Sequence, residues 1–157
     1  MEQAVEKLKE AAHAGNTELL LQLHRQHPLL IDRIIVGCFG ETPLHVAALL
    51  GHSELARVLV DLKPELAEAL DSSRSTPLHL ASAKGDIQIV RHLVSTKPEM
   101  CSVLNGEGLN PLHLAAIKGK VEVLRELVRT KPEAARATSS QGKPSCTCAS
   151  STFRWRL

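Results

Sequence analysis

The chain has 157 residues, of which 43% are hydrophobic and 23% charged, and its formal net charge at pH 7 is +2. This composition is typical of a soluble globular domain and excludes a disordered chain. So small a net charge, without a basic stripe interleaved with aromatic residues, predicts no nucleic-acid partner.

The first residues, MEQAVEKLKE, are charged and lack the apolar core of a signal peptide. The longest apolar stretch, residues 29–39, contains Asp32 and Arg33 and is shorter than the roughly 18 apolar residues that a membrane span needs. We therefore predict that this chain has no membrane span and is cytoplasmic.

A sequence pattern recurs every 34 residues from residue 42 onward. T-P-L-H occupies 42–45 and 76–79, N-P-L-H occupies 110–113, and a glycine and a Lys-Pro pair follow each at fixed distances. A period of this length predicts a solenoid of stacked units. The repeated positions are Thr42, Pro43, Leu44, His45 and Gly51; Thr76, Pro77, Leu78, His79 and Gly85; and Asn110, Pro111, Leu112, His113 and Gly119.

Each repeated position has a predicted structural role. The threonine or asparagine caps a helix, the proline fits the first helical position, and the glycine suits the left-handed residue that ends a short helix. A second helix follows, and the Lys-Pro pair ends it because a residue before proline disfavours the α conformation. We expect a unit of helix, turn, helix and loop, with these second-helix residues facing inward: Leu55, Val58, Leu59, Ile89, Leu93, Val94, Val123, Leu124, Leu127 and Val128.

The histidine in each copy suggests either a metal or catalytic site or a structural role. One histidine at the same place in every unit favours the structural role, with a ring nitrogen bonded to the turn backbone. Packed helices would place consecutive histidines about 10 Å apart, too far for one zinc that binds each ring at about 2.0 Å. We predict no metal or cofactor.

The four cysteines, Cys38, Cys101, Cys146 and Cys148, show neither a disulfide framework nor a complete set of zinc ligands. No nucleophile has a paired base at usable spacing, and no glycine-rich phosphate loop is present. The sequence therefore predicts no enzyme.

T-P-L-H-x-A, with a glycine six residues after the histidine, resembles the ankyrin repeat. The resemblance implies an all-α solenoid of about four units whose β-turn fingers precede the first helices. The units would be an N-terminal cap at 1–36, repeats at 37–70, 71–104 and 105–138, and a tail at 139–157. The cap lacks T-P-L-H, and its polar outer face would comprise Glu2, Glu6, Lys7, Lys9 and Glu10.

The junctions KPELAEAL, KPEMCSVL and KPEAARAT replace the Gly-Ala pair that usually follows the second helix. Together with the first helices LHLASAKG and LHLAAIKG, they resemble the ankyrin portion of plant proteins that carry a C-terminal membrane domain of the PGG type. The resemblance implies a role in defence or stress signalling, with full-length relatives at membranes. That membrane domain is absent from this sequence.

The resemblance also implies a protein-binding surface formed by the fingers and the ends of the first helices. Either Phe39, Leu49 and Leu50 form an apolar patch there beside Ile34, Ile35 and Val36, or Phe39 folds back to cover the N-terminal cap. Arg74 replaces the turn glycine found at 40 and 108, so that finger is expected to adopt a different turn. The implied contact residues are Cys38, Phe39, Glu41, Leu49, Leu50, Ser72, Ser73, Ser75, Ala83, Lys84, Gly106, Glu107, Leu109, Ile117 and Lys118.

The tail departs from the repeat. The next helix should begin at 144, where the chain reads P-S-C-T, and Phe153 occupies the expected glycine position. If the codons that encode residues 144–149 are read one base earlier, they can encode T-I-L-H-L-C, which would start the next helix of the repeat at the expected position. Either this end derives from a frameshift, or it is an authentic tail; in both cases we expect a frayed last unit and a disordered tail.

These patterns predict a protein-protein interaction module with unidentified protein partners. The alternative is a truncated isoform or gene-model fragment of a longer membrane-anchored protein, which would compete for the same partner or have no function of its own.

Overall fold

A computed structural model describes residues 2–36 and 40–136, which contain nine α-helices and three short 3₁₀ helices and no β-strand. The predicted all-α solenoid is confirmed. The α-helices are α1 (Glu2–Ala14), α2 (Thr17–Gln26), α3 (Leu30–Val36), α4 (Pro43–Leu50), α5 (Ser53–Leu62), α6 (Pro77–Lys84), α7 (Ile87–Thr96), α8 (Pro111–Ile117) and α9 (Val121–Thr130); the 3₁₀ helices are Pro64–Glu68, Pro98–Ser102 and Pro132–Arg136.

The first helix of each repeat begins as the sequence predicts, and the first two also end as predicted. Thr42 and Asn110 accept a hydrogen bond from the third residue of their helix, and the following proline occupies the first turn. Gly51 and Gly85 end α4 and α6 with φ angles of 83° and 88°, in the left-handed region that glycine enters without steric cost. In the third copy α8 ends one residue earlier, at Ile117.

The second helices bury one face, as the alternation of apolar and polar residues predicts. Every residue that we expected to face inward is buried or half-buried. Each helix ends immediately before its Lys-Pro pair, with the lysine as the C-cap. The segment after each pair was expected to be a loop, but it forms a 3₁₀ helix that buries Leu66, Cys101 or Ala134 in the core.

The helices stack in two layers. The first helices α1, α4, α6 and α8 contact one another in sequence, and so do the second helices α2, α5, α7 and α9. Alanines at 47, 48, 81 and 115 are fully buried in the first layer and allow these helices to approach closely. Stability in such a stack comes mainly from contacts between neighbouring units.

The N-terminal unit differs from the repeats. It continues after α2 into a third α-helix, α3, whose Leu30, Ile31 and Ile34 are buried. Ile34 therefore belongs to the core and cannot extend the exposed apolar patch, contrary to our expectation. The predicted polar outer face of α1 is confirmed, since Glu2, Glu6, Lys7, Lys9 and Glu10 are all exposed.

Two lysines of the Lys-Pro pairs connect consecutive units. Lys63 forms an ion pair with Asp32 at 2.6 Å, and Lys97 forms the equivalent pair with Glu68. Hydrogen bonds to these carboxylates raise the pKa of both lysines. Because both pairs are substantially exposed to solvent, they add little to stability. Their main role is to align each unit with the next.

Three earlier expectations concern parts of the chain outside the described residues: the finger residues Cys38 and Phe39, and the tail from 139 onward. The last repeat keeps both helices, and the fraying expected there stays a prediction. None of the helices in the described ranges is long and apolar enough to cross a membrane.

Ser82 offers a test of the packing between first helices. It is fully buried in α6, and its hydroxyl has no hydrogen-bond partner among the described residues, whereas alanine stands at the equivalent positions 48 and 116. We expect Ser82→Ala to raise the free energy of unfolding by about 1 kcal/mol, because it removes an unsatisfied buried hydroxyl. Urea denaturation measures the change.

Ser95→Ala in α7 is the matched control, since it brings a similar gain in helix propensity but removes an exposed hydroxyl that donates to the Arg91 carbonyl at 2.7 Å. An equal or smaller gain for Ser82→Ala than for the control would contradict the prediction.

Candidate interaction surface

The two fully described fingers, residues 71–75 and 105–109, have the same backbone turn. In the first, Asp71 Oδ1 accepts hydrogen bonds from the backbone N–H groups of Ser73 and Ser75, both at 2.8 Å. In the second, Asn105 Oδ1 accepts from Glu107 and Leu109, both at 3.0 Å. A side-chain oxygen that bonds the backbone ahead of it is how Asp and Asn stabilise turns.

The expectation of a different turn at Arg74 is wrong. Arg74 has a φ of 59° and its N–H donates to the Asp71 carbonyl at 3.0 Å, just as Gly108, with a φ of 74°, donates to Asn105. A left-handed conformation costs a non-glycine residue roughly 1–2 kcal/mol. The bonds to Asp71 hold Arg74 in this conformation and leave its side chain exposed on the finger.

Neighbouring fingers are also bonded to each other. The Gly106 N–H donates to the Ser73 carbonyl at 2.9 Å. A Cβ at position 106 would lie 2.8 Å from the same oxygen, so the close approach of the two fingers requires glycine there. Gly106 therefore has a structural role, and its backbone N–H is not available to a partner.

His45 links its own helix to the finger of the next unit. Its Nδ1 accepts from the Thr42 N–H at 3.3 Å and lies 2.8 Å from the Thr42 hydroxyl, while Nε2 lies 3.0 Å from the Ser75 carbonyl oxygen. A carbonyl can only accept, so Nε2 carries the proton and Nδ1 is the acceptor. The predicted structural role, a ring nitrogen bonded to turn backbone, is confirmed.

His79 repeats this arrangement one unit later. Its Nδ1 accepts from the Thr76 N–H at 3.1 Å, and its Nε2 donates to the Leu109 carbonyl at 3.0 Å. Burial lowers the pKa of both His45 and His79 below the ordinary value of 6.5, and the hydrogen bonds to the carbonyls oppose this only in part. Both rings are therefore neutral at pH 7.

Most of the predicted contact residues are exposed. On the fingers these are Glu41, Ser72, Ser73, Gly106 and Glu107, and at the ends of the first helices they are Leu49, Leu50, Lys84, Ile117 and Lys118. The two groups follow each other along the chain within each unit, because each finger leads directly into the first helix.

One predicted contact residue, Ser75, needs correction. Ser75 is 6% exposed, and its N–H and carbonyl are both used within the fold, so it holds the finger in place and is not a contact residue. Leu109 and Ala83 are half-buried. The sequence could not distinguish Ser75 from Ser72 and Ser73, because burial at 75 depends on His45 of the preceding unit.

The structure adds two apolar residues that the sequence reasoning missed. Leu70 and Leu104 directly precede Asp71 and Asn105 at the base of the fingers and are 46% and 42% exposed. They are 34 residues apart, so the repeat itself marked them as equivalent positions. Leucine at an exposed repeat position was the signal that could have identified them.

The described residues do not assemble a metal centre. They contain no group of three or more histidine, cysteine or carboxylate side chains able to hold a metal ion. Cys101 is buried, and burial raises the pKa of its thiol to about 11, so it is protonated and unreactive at neutral pH.

Comparison with known families agrees with this structure. A family model described as "Ankyrin repeats (3 copies)" matches residues 8–102, and one described as "Ankyrin repeats (many copies)" matches residues 78–128. The first match alone covers more than half of the chain. No individual curated protein matches the chain significantly.

His45 and His79, two of the three buried histidines, should make stability depend on pH. Because their pKa values are lower in the folded state, unfolding takes up protons below about pH 6.5. The stability contributed by the neutral rings is fully present above that pH. It is lost as the pH falls toward the lowered pKa values that the two histidines have in the folded state. We expect urea denaturation to show a lower free energy of unfolding at pH 5.0 than at pH 7.5.

His79→Phe keeps a ring at this position but removes one titrating group, and we expect it to reduce the difference in unfolding free energy between pH 7.5 and 5.0. A wild-type protein equally stable at both pH values, or a variant with an unchanged difference, would contradict the assignment.

Proposed function

The chain belongs to the ankyrin-repeat family, and we propose that its fingers and first-helix ends form the surface on which it binds other proteins. The family is a protein-interaction scaffold rather than an enzyme. The partner would lie across several units at once, since each unit contributes one finger and one helix end.

One observation carries the choice of surface. The described part of the chain has six large apolar side chains that are strongly exposed, and five of them lie at the finger bases or the first-helix ends: Leu49, Leu50, Leu70, Leu104 and Ile117. The sixth, Leu29, lies beside α3 in the N-terminal unit. Exposed apolar side chains concentrated on one surface of a soluble protein are a mark of a binding site. We call these five residues the apolar strip.

The exposed face of the second helices supports the same choice by contrast. It carries mainly charged and polar residues, among them Glu54, Arg57, Gln88, Arg91 and Arg125. Several of these are already paired: Arg57 with Glu54, Arg91 with Glu126 and Arg125 with Glu122. A face of exposed ion pairs is typical of solvated surface.

The finer role follows from the plant resemblance alone: an adaptor in defence or stress signalling, related to longer membrane-anchored proteins. The junction and first-helix sequences support it, and the permitted T-I-L-H-L-C reading at 144 supports the alternative of a fragment of such a protein. Both stay predictions, and neither changes the surface proposed for residues 40–136.

A peptide-display selection tests the proposed surface directly. Peptides are selected from a random library on the full chain, and their affinities are measured for the wild type and for Leu50→Asp and Ile117→Asp. We expect most selected peptides to bind either variant at least about tenfold more weakly, equivalent to ~1.4 kcal/mol, because a charge replaces an apolar contact.

Gln88→Asp, which places the same charge at an exposed position on α7, is the matched control and should leave affinity unchanged. Peptides that lose affinity with Gln88→Asp but not with the two strip variants would place the binding surface on the second helices and disprove the proposal.

A further inference from the structure

Three lysines cluster where α6 and α8 end. Lys84 directly precedes Gly85, the residue that ends α6, and the Lys120 side chain passes over that glycine, with its Cδ 2.6 Å from where a Cβ would stand. Lys118 lies two residues before Lys120, at the end of α8. Lys84 and Lys118 are exposed and occupy equivalent positions in consecutive units.

These three lysines form no ion pair within the described residues, as is also true of Lys7, Lys9 and Arg74 among others. All the ion pairs among the described residues involve cations on the second helices or the Lys-Pro junctions. The Asp86 carboxylate lies near Lys84, since its Oδ2 and the Lys84 Cε are 3.4 and 3.6 Å from the same point, where a Cβ on Gly51 would stand; its Oδ1 accepts the N-cap hydrogen bond from Ile89. Three lysines beside this one carboxylate give the cluster a net positive charge.

The cluster adjoins the apolar strip. Ile117 directly precedes Lys118, and the Cε of Lys84 lies 3.6 Å from where a Cβ on Gly51 would stand, just after Leu50. The equivalent position in the first repeat is Leu50 rather than lysine. The surface thus changes from apolar at α4 to basic and apolar at α6 and α8.

From this arrangement we propose that the surface binds a protein segment that carries both carboxylates and large apolar side chains. The carboxylates would pair with Lys84 and Lys118, and the apolar side chains would cover Leu49, Leu50 and Ile117. This inference rests on the proposed function, because it names the chemistry of the partner for the same surface. Unpaired cations beside an apolar surface favour an acidic partner both in steering and in specificity.

The spacing of the units sets the spacing of the carboxylates. Packed helices lie about 10 Å apart, which equals roughly three residues of an extended chain or about seven residues of a helix. A peptide with glutamate at positions 1, 4, 8 and 11 and leucine at 2, 5, 9 and 12 satisfies both spacings. Its counterpart with lysine in place of glutamate has the same apolar content and the opposite charge.

The experiment measures both peptides against the full chain by fluorescence anisotropy. We expect the glutamate peptide to bind at least tenfold more tightly than the lysine peptide, with an affinity that falls as salt is added. The double variant Lys84→Glu/Lys118→Glu should lose this preference or reverse it. The control variant Lys7→Glu/Lys9→Glu replaces two exposed lysines of α1 and changes the net charge by the same amount. It should keep the preference for the glutamate peptide.

Three results would overturn the proposal. The first is that both peptides bind with equal affinity and that Ile117→Asp abolishes this binding. This result would support the apolar surface but disprove the preference for acidic partners. Binding of neither peptide would disprove the partner chemistry, while the display selection tests the surface independently. Displacement of the glutamate peptide by a 20-mer of single-stranded DNA at equimolar concentration would show that the cluster is a general anion site.

Discussion

A neutral histidine that bonds in two directions is the interaction on which the rest of the structure depends. His45 and His79 each accept a hydrogen bond from the N-cap of their own helix through Nδ1 and donate one to the finger of the next unit through Nε2. Only the neutral ring with its proton on Nε2 can do both. The same side chain therefore starts a helix and positions a finger about 30 residues away in sequence.

This division of roles separates folding from binding. The repeated Pro-Leu-His at the start of α4, α6 and α8 is buried and holds consecutive units together, whereas the exposed residues at the ends of these helices vary from unit to unit. The last helix positions read Leu49-Leu50, Ala83-Lys84 and Ile117-Lys118, so one scaffold presents an apolar end and a basic end. Substitutions at the exposed positions can change the partner with little effect on stability, because packing does not involve them.

The sequence alone was enough to predict the paired helices of the three repeats, α4 to α9, because their caps, prolines and glycines are local signals repeated three times, whereas α3 carries none of these signals. It could not predict the 3₁₀ helices after the Lys-Pro pairs, which form because Leu66 and Cys101 pack into the core. The turn at Arg74 was mispredicted because Asp71 outweighs the preference for glycine. Ser75 was assigned to the contact surface because its burial depends on a histidine in another unit.

The central claim is that each histidine fixes the finger of the following unit, and amide hydrogen exchange followed by NMR tests it most directly. His79→Phe removes the hydrogen bonds of that ring to Thr76 and to the Leu109 carbonyl. The account predicts that the Gly108 and Leu109 amides then exchange at least about tenfold faster, a loss of ~1.4 kcal/mol of local stability, while the Arg74 and Ser75 amides change less. His45→Phe should produce the reverse pattern, and equal changes in both fingers, or none, would contradict the account.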